Sequence, residues 1–277
     1  MSSKFTSFKF ISSLGFFAFF TAFGTAHADR LQEIKTRGSL ICATLSSSVP
    51  LAYQDPATRK YVGFDVDTCA AIAKHIGVQL DHRAIMVDAR IPELALGRVD
   101  LVAAAMGYTK ERAEQVAYTA AHYQLPLKIM VASDSGITKF SDLAGKKISA
   151  NIGSTGEMNA RRIIPSAEIL TFKDGPTAFL ALQQGKVQAL AMGLASAQRF
   201  VIETGGKFKL LEEPLAWEAT GLALKKGEPE LLAVVNGALQ TLETSGGLDA
   251  MWTKWFGPTT KFHIVREKKL TPISQLQ

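Results

Sequence analysis

Residues 147–192 read KISANIGSTGEMNARRIIPSAEILTFKDGPTAFLALQQGKVQALAM, and their pattern indicates the fold class. Strand-like and helix-like segments alternate in it, separated by short groups that contain Gly, Asp or Lys. We predict strands at 147–151, 169–172 and 187–192, with helices at 154–164 and 176–184. Strand–helix alternation of this kind indicates an α/β fold with parallel sheets and helices on both faces.

The same alternation precedes this stretch, and the pattern becomes helical after Leu224. We predict further strands at 39–44, 61–64, 78–83, 100–105 and 126–131, and helices at 65–76, 91–96, from 109, at 140–143, 229–243 and 248–256. Two α/β stretches in a chain of this length favour two domains. The predicted lobes are 29–125 plus 225–277 and 131–218, joined by hinge segments 125–131 and 219–224.

The N-terminus has the features of a secretory signal peptide. Lys4 and Lys9 are followed by an apolar run that ends near Phe23, and then by Thr25-Ala26-His27-Ala28, an Ala-x-Ala cleavage site. We therefore expect residues 1–28 to be removed and the protein to be exported. A membrane anchor is the alternative, for which the apolar run is short.

Composition excludes several classes of protein. The 277 residues carry a net charge of +6, which falls to +4 without Lys4 and Lys9. Charges of both signs are mixed, without interleaved aromatic residues, so no nucleic-acid partner is expected. Two cysteines exclude a disulfide-dense scaffold. Cys42 and Cys69 lie in a predicted strand and helix, where either a disulfide worth about 3 kcal/mol or two buried thiols fit.

Common catalytic and metal-binding motifs are missing from the sequence. We find no P-loop, no G-x-G-x-x-G after a strand, no H-E-x-x-H and no G-x-S-x-G. The five histidines, at 27, 75, 82, 122 and 263, lack metal-ligand spacing. We therefore expect no cofactor, no metal and no catalytic residue.

Two strand-to-helix turns are candidates for ligand binding. In the turn 105–112, AMGYTKER, Thr109 is a plausible N-cap and places Arg112 in the first helical turn. A cation at the positive end of a helix is unfavourable without an anion, so a carboxylate held by Arg112 and by backbone N–H groups near Gly107 is one interpretation. A surface arginine balanced by Glu111 is the other.

The turn 151–157, NIGSTGE, lies in the other predicted lobe and carries hydroxyls and glycines. It predicts either a second ligand contact or an ordinary helix cap. Arg90 precedes a helix that has Pro92 in its first turn. Its guanidinium either enters the same cleft or pairs with Asp88 at the surface.

With these segments in hand, the chain resembles the polar amino-acid family of ABC-transporter substrate-binding proteins. The resemblance rests on the order and spacing of several short motifs. They are 48–53 (SVPLAY), 63–67 (GFDVD), 91–100 (IPELALGRVD), Thr109-x-x-Arg112, 142–146 (DLAGK), 153–155 (GST), 181–187 (ALQQGKV) and 254–257 (KWFG).

The resemblance implies a type-II periplasmic binding protein fold, a ligand between two lobes, and delivery to a membrane permease. It implies that Arg112 binds the ligand α-carboxylate, with Thr155 and Ser154 contacting it from the second lobe. Arg90 matches an arginine typical of members that bind acidic amino acids. The remaining implied positions are contacts at Gly107 and Ala105, walls at Val87 and Tyr53, a cover at Ser48 and a Cys42–Cys69 disulfide.

One departure from the family pattern concerns the ligand ammonium group. Members usually carry an acidic residue where this chain has Gly193, and Asp174 or Glu157 are possible substitutes. We expect a monomeric periplasmic binding protein, not an enzyme, that binds a polar amino acid, specifically an acidic one. The alternative is an exported dehydratase acting on a cyclic carboxylic acid, because such a ligand needs no ammonium partner.

Overall fold

The computed structural model describes residues 1–2, 4 and 29–276, so the predicted signal peptide lies almost wholly outside the described residues. Nine α-helices occur in the described part of the chain. They are α1 Arg30–Arg37, α2 Phe64–Ile76, α3 Arg90–Ala95, α4 Lys110–Ala113, α5 Thr155–Ile163, α6 Gly175–Gln183, α7 Leu194–Glu203, α8 Pro229–Thr244 and α9 Gly247–Phe256. None of these is both long and apolar enough to cross a bilayer.

The strands form one large sheet and one small one. They are β1 Ser39–Leu45, β2 Ser47–Ser48, β3 Ala52–Gln54, β4 Tyr61–Val62, β5 Gln79–Ile85, β6 Leu101–Val102, β7 Val116–Ala132, β8 Lys147–Asn151, β9 Glu168–Phe172, β10 Ala189–Gly193, β11 Phe208–Leu210 and β12 Ala216–Lys225. The large sheet has the order β5-β1-β6-β12-β7-β10-β8-β9, with β11 also paired to β7.

Strand direction divides the large sheet into three parts. β1 pairs in parallel with β5 and β6, and β8 pairs in parallel with β9 and β10. In the middle, β7 and β12 are antiparallel to each other, and both are antiparallel to their outer neighbours. The prediction of parallel sheets is therefore confirmed at both ends and wrong in the middle.

The middle pair, β7 and β12, connects the two ends of the sheet. β7 begins at Val116, ten residues before the predicted strand, and its ladder with β12 runs from Val116↔Lys225 to Leu127↔Ala216. Partners on this ladder are about a hundred residues apart in sequence, so local pattern alone does not define the strand's length. The predicted hinge segments 125–131 and 219–224 lie within these two long strands.

Apolar clusters pack the helices onto each end of the sheet. At one end, Leu40 and Leu101 pack against Ile72 of α2 and Leu231 of α8. The Cys42–Cys69 disulfide joins β1 to α2 within this cluster, so the predicted bridge is confirmed and the alternative of two free thiols is wrong. At the other end, one cluster packs α5 on the sheet and another packs α6 and α7.

The segment after α9 crosses back onto β7. Thr271 forms a β-bridge with Ala121, and Nε of the buried Arg266 donates to the carbonyl oxygen of His122 at 2.8 Å. Arg266 also pairs with Asp249 at 2.8 Å and with Glu243. These contacts fasten the C-terminal segment to the strand that connects the two ends of the sheet.

Candidate functional site

A cavity lies beside the β7–β12 pair, where the strands from both ends of the sheet terminate. Tyr123, Leu125 and Leu127 alternate along β7 and line it, as does Glu218 of β12, whose ladder partner is Leu125. Ends of open α/β sheets are the usual place for ligands. Further lining comes from segments 45–51 and 85–90 on one side and from 151–156, 173–176 and 191–200 on the other.

Most of the predicted ligand-binding residues border this cavity. Eight of the eleven do so: Ser48, Val87, Arg90, Ala105, Ser154, Thr155, Asp174 and Gly193. Arg112 and Gly107 lie behind the lining. Tyr53 is placed elsewhere, on β3, where its ring packs edge-on against Trp255 with centroids 6.4 Å apart. The structure therefore does not bring Tyr53 to the cavity wall, because its ring packs on α9.

Arg112 lies at the junction of the two predicted turns. The hydroxyl of Thr109 accepts from the Arg112 backbone N–H at 3.2 Å, which confirms the predicted N-cap. Only 6% of Arg112 is exposed, so a surface arginine balanced by the exposed Glu111 is contradicted. Its Nη1 donates to the carbonyl oxygen of Gly107 and its Nη2 to that of Gly153, both at 2.8 Å. The guanidinium thus connects the first turn to the second.

Arg90 lies beside Arg112 and is 4% exposed, so the alternative of a surface pair with Asp88 is also contradicted. Its guanidinium hydrogen-bonds four carbonyl oxygens, those of Val87 (2.7 Å), Ala104 and Ala105 (both 3.1 Å) and Gly153 (3.2 Å). Burial, together with the positive charge of Arg112, lowers the pKa of Arg90 to about 10. Two buried cations therefore share the Gly153 carbonyl.

Glu218 is a site residue that the sequence analysis missed. Its Oε2 accepts a hydrogen bond from the Thr155 hydroxyl. A Cβ added at Gly107 would lie 2.3 Å from Cδ of Glu218, so glycine at 107 leaves the space that this carboxyl occupies. Burial raises the pKa of Glu218, while the Thr155 hydrogen bond and the charges of Arg112 and Arg90 oppose that rise. The available signal was an acidic residue beside a predicted apolar hinge segment.

Hydroxyl and carboxyl groups on the far wall cap helices. Ser154 caps α5, with its Oγ accepting from the Glu157 N–H at 3.1 Å. Asp174 caps α6 through Oδ1, which accepts from the Thr177 N–H at 2.8 Å. Across the mouth of the cavity, Ser48 Oγ and Ser196 Oγ of α7 are 3.0 Å apart.

The carboxyl group expected after β10 is missing, and the two possible substitutes, Glu157 and Asp174, already form hydrogen bonds within the protein. Gly193 lines the cavity, and a Cβ added there would meet nothing within 4 Å. Glu157 lies outside the lining, where it accepts from the Gly153 N–H at 2.9 Å and pairs with Arg161 at 3.0 Å. Asp174 faces the cavity but uses Oδ1 on its own helix.

Ala105 connects the cavity wall to the buried interior. Its φ of 46° is in the left-handed region, which non-glycine residues rarely adopt. Its N–H donates to Oδ2 of Asp65 at 3.2 Å, and burial raises the pKa of Asp65 well above its usual range. Backbone strain of this kind is found preferentially at functional sites, where the surrounding structure holds it in place.

Residues 40–258 match the model of the bacterial extracellular solute-binding proteins, family 3. The chain belongs to this family. Among relatives of this solute-binding protein, the L-cystine-binding protein TcyJ of Escherichia coli is 27% identical over 229 residues, 82% of this chain and 86% of the relative. The glutamine-binding protein GlnH of Bacillus subtilis is 28% identical over 231 residues, 82% of this chain and 84% of the relative.

Solved structures confirm the predicted α/β class and the type-II periplasmic binding protein fold. A solute receptor for L-cysteine from Neisseria gonorrhoeae superposes with a TM-score of 0.79 at 26% identity, covering 82% of this chain and 94% of that one. AncCDT-1 superposes with a TM-score of 0.76 at 30% identity and covers 82% and 99%. That protein is described as an ancestral amino acid-binding protein and a precursor of cyclohexadienyl dehydratase.

Proposed function

We propose that this solute-binding protein is the periplasmic component of an ABC importer and that it binds an amino acid in the cavity beside β7 and β12. The observation that carries the proposal is the pair of buried guanidiniums, Arg90 and Arg112, which meet at the Gly153 carbonyl. In the part of the chain that the structure describes, neither one hydrogen-bonds a carboxylate. A bound carboxylate would supply the balancing charge.

The proposed mechanism is closure of two lobes around the ligand. The lobes are residues 29–125 plus 225–277 and residues 131–218, joined through 125–131 and 219–224. Contacts between them include Arg112 with Gly153 and Ser48 with Ser196. A ligand that touches both sides of the cleft binds the closed form more tightly than the open form, so it shifts the population toward closure. The permease would recognise that closed form.

The charge of the cavity favours an anionic ligand. Lys173 and Arg199 line it together with Arg90, and Arg112 lies directly behind, whereas Glu218 and Asp174 are the carboxylates on its wall. Four positive groups against two negative ones attract a net negative ligand. We therefore propose an acidic amino acid. Relatives named for glutamine and cystine support the amino-acid class, and a glutamate/aspartate import protein of Salmonella typhimurium is 25% identical over 254 residues, 84% of each chain.

Export places the protein where it would meet such a ligand. The lysines, apolar run and Ala-x-Ala site of residues 1–28 support cleavage before Asp29. The Cys42–Cys69 disulfide is consistent with an oxidising compartment. We propose that the mature protein is a periplasmic monomer that contacts its permease only transiently.

The dehydratase alternative has less support. The curated relatives above are named for the solutes they bind, and the structural relative connected with a dehydratase is itself described as amino acid-binding. Only turnover of a cyclic carboxylic acid would favour an enzyme, so prephenate is included in the test below.

A ligand screen tests the proposal. The protein, purified from the periplasm of an expressing bacterium, is melted with each amino acid, the matching keto acids and prephenate. At a ligand concentration 100 times Kd, binding adds about 2.7 kcal/mol, a rise of roughly 5–10 °C in Tm. We expect this rise with an acidic amino acid and its loss in Arg112→Ala. No rise in Tm with any amino acid would refute amino-acid binding. Recovery of the protein with residues 1–28 still attached would refute cleavage of the signal peptide.

A further inference from the structure

The cavity holds one carboxyl group that is oriented by the fold and not used to cap a helix. Gly193 provides no carboxyl, Asp174 uses Oδ1 to cap α6, and Glu157 lies outside the lining. Glu218 projects into the cavity from the strand pair that connects the two lobes. Its placement therefore makes it the candidate for a charged contact to the ligand.

The register of the sheet explains why Glu218 faces the cavity. Gly193 of β10 pairs with Leu127 of β7, which in turn pairs with Ala216 of β12. Glu218 is two residues beyond Ala216, so its side chain lies on the same face of β12 as that of Ala216. This is the face on which Gly193 and Leu127 border the cavity. A carboxyl at 218 thus lies on the cavity side of β12, two strands away from Gly193 of β10, and both residues line the same cavity.

One hydrogen bond and the space left by Gly107 fix the orientation of the Glu218 carboxyl. Its Oε2 accepts from Thr155, and Gly107 leaves room for Cδ against the backbone. Oε1 accepts no hydrogen bond from the described residues and is not among their fully buried atoms. Arg112 and Arg90 favour its ionised form, against the effect of burial. An oriented carboxylate with one open oxygen attracts a cationic donor and repels a carboxylate.

We propose that Glu218 receives the ammonium group of the ligand and so makes an amino group a requirement for tight binding. This inference rests on the proposed function, because it assumes an amino acid in the cavity. It assigns to Glu218 of β12 the binding of the ammonium group, a role that Gly193 cannot fill because it has no side chain. The ligand's own carboxylates are left to the cationic groups of the cavity.

The test separates the ammonium contact from every other contact. Calorimetry measures the affinity for L-glutamate, L-glutamine and L-cysteine and for analogues in which hydrogen replaces the ammonium group: glutarate, 4-carbamoylbutanoate and 3-mercaptopropanoate. We expect the wild-type protein to prefer the amino acid. In Glu218→Gln, which keeps side-chain volume and an acceptor for Thr155, the preference should fall by roughly 10- to 100-fold. Affinity for the deamino analogue should stay within about threefold or improve.

Two variants act as controls. Glu111→Gln removes an equal charge from an exposed position on α4, and the preference should not change. Asp174→Asn removes the rival carboxylate and keeps a residue that caps helices well. If Glu218→Gln folds poorly, Glu218→Asp retracts the carboxylate by one methylene and should give an intermediate preference.

The outcomes distinguish this inference from the proposed function. An unchanged preference in Glu218→Gln, or a preference lost in Asp174→Asn instead, overturns the role of Glu218 alone. Equal weakening of amino acid and deamino analogue also overturns it, because Glu218 would then only support the site. Wild-type protein that binds none of the three amino acids overturns the proposed function for these ligands, and the inference with it.

Discussion

The turn that carries Arg90 and the turn that carries Arg112 place two guanidiniums side by side, but each side chain is used differently. Arg90 donates four hydrogen bonds to main-chain carbonyls, and Arg112 donates two. A guanidinium has five N–H groups. Three of those on Arg112 therefore donate to no main-chain carbonyl in residues 29–276. Arg90 braces the loops around the cavity, whereas Arg112 retains donors for a ligand.

Burial and charge alone therefore do not identify a ligand contact. Both arginines are more than nine-tenths buried, and both lie between the two predicted turns. Only the number of unused donors separates them. Arg90 lines the cavity and uses nearly all of its N–H donors on carbonyl oxygens. Arg112 lies behind the lining and uses only two of its donors in this way. Stability should therefore depend more on Arg90, and affinity should depend more on Arg112.

The largest expected effect is on folding. Arg90→Ala leaves the carbonyl oxygens of Val87, Ala104 and Ala105 without their shared donor, and we expect the free energy of unfolding to fall by about 3 kcal/mol. Relief of repulsion from Arg112 offsets part of this loss. Urea unfolding followed by circular dichroism measures the change.

Arg98 supplies a matched control for that experiment. Its side chain is 64% exposed, and among the described residues it forms an ion pair only with Glu93, at 3.1 Å. Surface ion pairs contribute little, so Arg98→Ala should change the free energy of unfolding by no more than about 0.5 kcal/mol. If the Arg90→Ala and Arg98→Ala variants are equally stable, the hydrogen bonds of Arg90 do not stabilise the loops around the cavity.

The next effect is on affinity. Arg112→Lys keeps the positive charge but removes the planar fork, so we expect roughly 10- to 100-fold weaker binding of the amino acid found in the ligand screen. Calorimetry measures it. Stability should fall by only about 1 kcal/mol, because one hydrogen bond to Gly107 or Gly153 is lost. Arg90→Lys should lose more stability and less affinity than Arg112→Lys. If both variants lose stability and affinity to the same extent, the two arginines do not have different roles.

Local features of the fold were predictable from the sequence. Strand β8 coincides with the predicted 147–151, and α8 ends one residue beyond the predicted 229–243. Both have clear apolar patterns and clear ends. Helix α7 was missed because Gly193 precedes it and provides no capping side chain. The turn at Thr109 was predicted because its cap and its arginine are neighbours in sequence.

Features that depend on register were not predictable. Glu218 faces the cavity only because β12 pairs with β7 in one register, and a slip by one residue would turn it to the other side. That register joins segments about a hundred residues apart. The sequence left open whether Arg90 and Arg112 enter one cleft or lie at the surface. Their different use of donors was not predictable either, because it depends on four carbonyls contributed by three separate loops.

The smallest effect tests how Arg112 is positioned. Helix α4 has four residues and begins at the Thr109 cap, so Thr109→Ala should cost about 1 kcal/mol of stability. Loss of the cap also loosens the first turn of α4, which carries Arg112, so affinity for the ligand should fall a few-fold. The hydrogen bonds of Arg90 should not change. Thr109→Ser retains the hydroxyl and should restore both quantities. Unfolding and calorimetry on the two variants measure these changes. If the serine variant is as unstable and as weak a binder as the alanine variant, the Thr109 hydroxyl does not orient Arg112.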